Sequence, residues 1–111
     1  MNKLELASDP NTPPETLTIL AQDEYYYVRC VVAKNSNTPT ETLTILAQDE
    51  KYLVRYWVAH NPNTPLEALT FLTRDKNEGV RYWVARNPNA TREAIQTVRA
   101  YEFYKEMEKV K

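Results

Sequence analysis

The chain has 111 residues, enough for one domain, and its 14 basic and 15 acidic residues almost cancel. This balance argues against an overall field that draws the protein to nucleic acid or to an anionic membrane. A single cysteine, Cys30, excludes an internal disulfide framework and a cysteine-cluster metal site supplied by this chain alone. No signal-peptide pattern and no long apolar run is present, so we expect a soluble cytoplasmic protein.

A unit of 26 residues repeats along the chain. Copies aligned on Asn-Thr-Pro cover residues 11–36, 37–62 and 63–88; the first two copies agree at 19 of 26 positions and the last two at 16 of 26. Residues 1–10 match the tail of an earlier unit, and residues 89–111 form a degenerate fourth unit. We therefore predict a single helical-repeat domain built from about three to four units, with no β-sheet.

The first half of each unit predicts a short helix. In the central copy, residues 38–41 read Thr-Pro-Thr-Glu, which is the pattern of a capping box with proline at the first helical position. Leu43, Leu46 and Ala47 then follow at helical spacing on one face. At two to three turns, this element is short enough to be partly 3₁₀-helical.

The second half predicts another helix, of about ten residues. Val54, Trp57 and Val58 share one face, and the Asn-Pro dipeptide at residues 61–62 ends the helix because a residue before proline avoids the α region. A strand is disfavoured because alternation would leave apolar side chains on both faces. On the same spacing, we assign Trp57 and Trp83 to the core between units rather than to a ligand site.

After Val98 the repeat pattern is lost. The remaining sequence has no proline or glycine and is rich in helix formers, which predicts one longer helix from about residue 91 to about residue 109. This helix would provide the polar end cap that a repeat array needs.

At this level of detail the unit resembles a known family. The pattern VRxxVAxNPNTPxExLxxLAxD is similar to the leucine-rich repeat variant family and, more distantly, to HEAT repeats. It covers roughly residues 2–98 and is carried in one copy by Val54, Arg55, Val58, Ala59, Asn61, Pro62, Asn63, Thr64, Pro65, Glu67, Leu69 and Leu72. The resemblance implies alternating α- and 3₁₀-helices in a right-handed superhelix, that is, an α-solenoid. The clustered cysteines of the family's iron–sulfur module are missing here, so no cofactor is expected.

The likeness to HEAT repeats also implies a ladder of charged residues between units. Its members would be an aspartate and an arginine six residues apart in each copy: Asp23 and Arg29, Asp49 and Arg55, Asp75 and Arg81. We expect each carboxylate to accept hydrogen bonds from an arginine of its own or the adjacent unit. The role is structural and implies no catalysis.

The outer face of the second helix is the candidate binding surface. With Val54 and Val58 inward, Tyr52, Tyr56 and, at the edge, His60 point outward. The equivalent residues are Tyr26, Cys30 and Lys34 in the first copy and Glu78, Tyr82 and Arg86 in the third. Stacking of units would align these side chains into an aromatic and basic strip. Either the strip binds a partner, since tyrosine is enriched at binding hot spots, or its rings only cover neighbouring helices.

Other reactive residue types have ordinary structural explanations. His60 has no second ligand at defined spacing, which argues against a metal site. Cys30 has no neighbouring histidine in sequence, which argues against a catalytic nucleophile. We expect Asn35, Asn61 and Asn87 to satisfy backbone groups at the turns. The chain is not expected to be an enzyme.

These observations favour an interaction module that binds another protein through its helical surface. Two alternatives stay open. A basic face for nucleic acid could be formed by Arg29, Lys34, Arg55, Arg81 and Arg86. The net charge of −1 opposes this alternative. The N-terminal half unit could also leave a repeat face exposed for self-association.

Overall fold

The computed structural model describes residues 1–110, and all eight elements in this part of the chain are α-helices. They are α1 (Lys3–Ser8), α2 (Pro14–Leu20), α3 (Tyr26–Lys34), α4 (Thr40–Leu46), α5 (Tyr52–His60), α6 (Leu66–Leu72), α7 (Glu78–Arg86) and α8 (Arg92–Glu108). The prediction of an all-helical protein without strands is confirmed. The implied alternation with 3₁₀-helices is wrong, because the short first helices are also α-helical.

The helices pack in two sets. The second helices of the units follow one another in chain order, since α1 packs on α3, α3 on α5, and α5 on α7, and the last position is taken by α8. The first helices α2, α4 and α6 each pack against the second helix of their own unit, and α4 also packs against α6. The resulting body measures 52 × 25 × 16 Å along its principal axes.

The first helices do not begin with the expected capping box. Helix α4 begins at Thr40, with Pro39 as its N-cap and no side-chain cap. The Thr38 hydroxyl instead donates to the carbonyl of Val32 at 2.7 Å, in the last turn of α3. Thr38 is buried there, so its hydroxyl satisfies a carbonyl that the preceding helix leaves open. Thr12 and Thr64 make the equivalent bonds.

The second helices end at asparagine, whatever residue follows. Asn35, Asn61 and Asn87 are the C-caps of α3, α5 and α7. Proline follows the second and third of these asparagines, but Ser36 follows Asn35. The asparagine side chain, rather than the proline, is therefore the feature that all three helix ends share.

The core contains the predicted leucines and valines of every unit. Leu43, Leu46, Val54 and Val58 are buried in the central unit, and their equivalents are Leu17, Leu20, Val28 and Val32 in the first and Leu69, Leu72, Val80 and Val84 in the third. Trp57 and Trp83 are only half-buried, so their assignment to the core is wrong in part. Ala59 is fully buried instead, which means that the buried face of α5 is turned by roughly 60° from the expected one.

Each arginine of the predicted ladder bridges two units. Arg29 Nε and Nη2 donate to the two carboxylate oxygens of Asp49 at 2.7 and 3.1 Å, while Nη1 donates to the carbonyl of Asp23 at 2.8 Å. Arg55 makes the same bidentate pair with Asp75 and donates to the carbonyl of Asp49. One guanidinium thus joins its own unit, through a backbone carbonyl, to the carboxylate of the next unit.

The ladder has a different residue at each end. Lys3, which lies 26 residues before Arg29, binds the carboxylate of Asp23 at 2.7 Å, and this contact lowers the pKa of Asp23 and raises that of Lys3. At the other end, Glu102 of α8 accepts from Arg81 Nε. Tyr101, which holds the aspartate position in the repeat, lies under the Arg81 guanidinium at 5.2 Å.

Asparagine side chains form a second set of contacts between units. The Asn61 amide donates to the carbonyls of Ala33 and Asn35 at 2.8 and 3.1 Å, and its oxygen accepts from the backbone N–H of Asn63 at 2.8 Å. Asn35 and Asn87 make the equivalent bonds one unit earlier and one unit later. In residues 1–110, no buried side-chain nitrogen or oxygen lacks a hydrogen-bond partner.

No helix in this part of the chain is long and apolar enough to cross a membrane.

Candidate functional site

The packing of α3, α5 and α7 gathers aromatic and basic side chains from three units on one surface. We call this the aromatic–cation surface; its members are Lys34, Tyr56, Trp57, His60, Tyr82, Trp83 and Arg86. The turned helices produce it, because each tryptophan lies half-buried at the edge of the core and meets side chains of an adjacent unit.

The contacts on this surface run without interruption from the first unit to the third. The Lys34 ammonium lies 4.5 Å from the ring centroid of Trp57, and the Trp57 ring meets His60 edge-on at 5.2 Å. The His60 ring contacts Trp83 of the next unit at 4.4 Å between centroids. Such cation–ring and edge-to-face contacts stabilise both partners and hold the rings in fixed orientations.

The surface ends at the third unit with another cation over a ring. Trp83 meets Tyr82 edge-on at 5.3 Å, and the Arg86 guanidinium lies 3.6 Å from the Tyr82 ring centroid. Lys34, His60, Tyr82 and Arg86 are exposed. A partner can therefore reach both the cations and the ring edges.

Tyr56 anchors the surface from below rather than pointing away from the protein. Its ring is half-buried between Trp57 and Trp83, and its hydroxyl accepts a hydrogen bond from Trp83 Nε1 at 2.9 Å. A Cβ atom on Gly79 would come within 3.2 Å of this ring. The single glycine of the chain thus gives the Tyr56 ring room against α7.

Tyr26 and Tyr52 lie at the beginning of their helices, with other contacts. Tyr26 contacts the ring of Tyr25 at 5.8 Å, and the Lys51 ammonium lies 5.4 Å from its centroid. Tyr52 is exposed. The expected strip is thus divided, because these two tyrosines are not part of the run of contacts that joins Lys34 to Arg86.

Cys30 does not belong to the outer surface. It is 1% exposed, and burial, with a contribution from the charge of Asp49, raises the pKa of the Cys30 thiol to about 11. The small side chain is covered at a position where the other units place a tyrosine. A thiol with so high a pKa is a poor nucleophile at neutral pH.

A groove continues the aromatic–cation surface beyond Arg86. It has a volume of about 400 Å³ and lies between α7 and α8. Tyr82, Arg86 and Arg99 line it together with Glu78 and Glu102. Within residues 1–110, no group of three or more histidine, cysteine or acidic side chains is placed to hold a metal ion. The chemistry that this region offers is therefore stacking, cation–ring contact and charge-assisted hydrogen bonding.

Sequence reasoning missed three features of this region. Trp57 and Trp83 were assigned to the core although they are half-buried at its edge, and Lys3 and Glu102 complete the ladder of charges. The sequence did contain a signal for Lys3, because this residue lies one repeat period before Arg29.

Comparisons of the chain with protein-family models, curated proteins and solved structures find no match.

Proposed function

We propose that this chain is a short right-handed α-solenoid, similar to the leucine-rich repeat variant and HEAT families, that binds another protein through its aromatic–cation surface. Its role is that of a non-enzymatic interaction module. We further propose that the partner presents an acidic segment with apolar or aromatic side chains, because exposed Lys34 and Arg86 flank the exposed rings.

Support for the solenoid comes from the fact that the same arginine and asparagine contacts recur between successive units. Arg29 and Arg55 each bridge to a carboxylate 20 residues further on, with matching distances. Asn35, Asn61 and Asn87 each donate to a carbonyl 28 residues earlier. Equal joins between equal units generate a regular array, and such arrays commonly present one extended surface to a macromolecule.

Support for the binding surface comes from the uninterrupted run of contacts from Lys34 to Arg86. Tryptophan, tyrosine and arginine are the residue types that dominate binding energy at protein interfaces. Here their rings are held by neighbours and by the Trp83–Tyr56 hydrogen bond, so little side-chain freedom remains to be lost on binding. This preorganised run is the observation that carries the proposal.

The experiment is affinity capture from the source cells followed by measurement with the purified partner. A Lys34→Glu/Arg86→Glu variant should bind the identified partner at least about tenfold more weakly, because two cations are reversed at the interface. The matched control is Lys76→Glu/Arg92→Glu, which reverses two other exposed cations and should bind normally. Equal affinity of all three proteins would overturn the proposal.

The ladder of charges speaks against the nucleic-acid alternative. Arg29, Arg55 and Arg81 are each bound to a carboxylate and are not free for phosphates. Fluorescence anisotropy with labelled DNA or RNA at low salt tests this; binding that falls steeply with added salt would replace protein binding as the proposed function.

A further inference from the structure

A row of exposed apolar side chains lies on the first helices. Ile19, Ile45 and Phe71 are 71%, 67% and 61% exposed, and they occupy the same position in three successive units. A single exposed apolar residue needs no explanation, but large apolar residues at one repeated position form a surface. We call these three residues the apolar row. It belongs to α2, α4 and α6, whereas the aromatic–cation surface belongs to α3, α5 and α7.

An acidic row runs beside the apolar row. Glu15, Glu41 and Glu67 each precede a member of the apolar row by four residues, so the two side chains lie on the same face of their helix. All three glutamates are exposed, and they form no ion pair within residues 1–110. The acidic groups are therefore free to bind a basic partner.

The three helices lie side by side, so both rows cross them in register. The hydroxyls of Thr18 on α2 and Thr42 on α4 are 2.9 Å apart, and α4 packs against α6. Packed helices have axes about 8–10 Å apart, which predicts a row roughly 16–20 Å long. In a partner helix that lies across them, residues roughly seven apart are about 10.5 Å apart along the axis and match this spacing.

We infer that the apolar row and the acidic row form a second docking surface, and that its occupant is a basic amphipathic helix of another protein. The helix places one apolar side chain on each unit and its lysines or arginines against the glutamates. The charge of the acidic row selects a basic partner, whereas the aromatic–cation surface selects an acidic one. Arg74 lies three residues after Phe71, so the third unit contributes less negative charge than the first two.

The test uses a defined peptide and the whole chain. The probe is a fluorescent, lactam-stabilised helix of about 15 residues with leucines roughly seven residues apart and lysines beside them. We expect saturable binding by fluorescence anisotropy that weakens as salt is added, because exposed charges are screened. A peptide of the same composition with scrambled order is the matched control and should bind at least about tenfold more weakly.

Two variants of the chain separate the two rows. Ile19→Ser/Ile45→Ser/Phe71→Ser should lose at least about tenfold in affinity for the peptide, whereas Glu15→Gln/Glu41→Gln/Glu67→Gln should lose most of the salt dependence. All substituted side chains are exposed, so both variants should melt at the same temperature as the unaltered chain. Light scattering at each concentration tests whether a second copy of the chain occupies the row instead.

Three results would overturn the inference. They are the absence of saturable binding up to about 1 mM peptide, equal binding of the scrambled peptide, and self-association that the serine substitutions abolish. The variant Lys34→Glu/Arg86→Glu should bind the peptide normally. If this variant loses its protein partner but still binds the peptide, the two surfaces act independently. Either the proposed function or the second docking surface can therefore be refuted without the other.

Discussion

The indole of Trp83 donates a hydrogen bond to the hydroxyl of Tyr56, 27 residues earlier in the chain, at 2.9 Å. This bond joins the second and third units on the aromatic–cation surface. It also explains why Tyr56 is half-buried although its helix position faces outward. The hydroxyl has a partner inside the protein, so the ring can pack edge-on between two tryptophans.

Removal of this hydroxyl should weaken the join between the two units. We expect Tyr56→Phe to lower the free energy of unfolding by about 1 kcal/mol, since the Trp83 indole N–H loses its acceptor. Tyr52→Phe is the control, because Tyr52 is exposed, and it should stay within about 0.5 kcal/mol. Denaturant titration followed by tryptophan fluorescence measures both. Equal stability of the two variants would contradict the role given to the bond.

The buried asparagines should be among the most sensitive polar positions. Asn61→Ala leaves two carbonyls and one N–H without their side-chain partner, so we expect a loss of about 2–4 kcal/mol in the free energy of unfolding. Asn63→Ala removes one exposed hydrogen bond to Ser36 and should cost less than about 1 kcal/mol. Thermal or chemical unfolding compares the two; the opposite order would show that the Asn61 contacts do not stabilise the join.

The arginines should not be replaceable by lysine. Arg55 makes two parallel bonds to Asp75 and a third to the carbonyl of Asp49. Lysine carries one ammonium group on a flexible chain, so we expect Arg55→Lys to cost about 1–2 kcal/mol and Arg55→Ala about 2–4 kcal/mol in unfolding free energy. Lys105→Ala breaks an exposed pair with Glu108 and a distant contact with the Tyr101 ring, at 6.0 Å from its centroid, and should be neutral within about 0.5 kcal/mol. An Arg55→Lys variant as stable as the unaltered chain would show that the two parallel guanidinium hydrogen bonds are not required.

Burial of Cys30 should make the protein less stable at alkaline pH. The folded pKa of about 11 lies above the reference value of 9.0, so between these values the folded chain holds a proton that the unfolded chain releases. Stability from this group is unaffected below pH 9 and falls as pH rises towards 11. At pH 10 the loss is about 1 kcal/mol relative to a Cys30→Ala variant. Unfolding at pH 8 and pH 10 of both proteins measures the difference, and a constant difference would contradict it.

The helices and most of the core could be predicted from the repeat alone. Apolar residues at helical spacing, such as Leu43 and Leu46, are buried because a short amphipathic helix has only one face to hide. The position of α8 also followed from a sequence without proline or glycine, since such a stretch has no local reason to stop.

The aromatic–cation surface could not be predicted in the same way. Periodicity within one helix does not specify which side of the buried face meets the adjacent unit, and that choice decides whether Trp57 is inside or at the edge. The Thr38 hydroxyl likewise prefers a carbonyl of the preceding helix to the amide of its own, which depends on how two helices meet. The predictions for Trp57 and Thr38 failed because contacts between helices, which the pattern of a single helix does not specify, determine both positions.

The asparagine and arginine contacts also imply that the length of the protein is adjustable. Deletion of residues 37–62 would place Asp75 20 residues after Arg29, the separation that Arg29 and Asp49 have now. The same deletion would remove Asn61 and place Asn87 28 residues after Ala33. This is the present separation of Asn61 from Ala33, whose carbonyl accepts the Asn61 hydrogen bond. The arginine and asparagine contacts accept the next unit in the same way, so units can be gained or lost by duplication and deletion of the coding sequence while these two sets of contacts are kept.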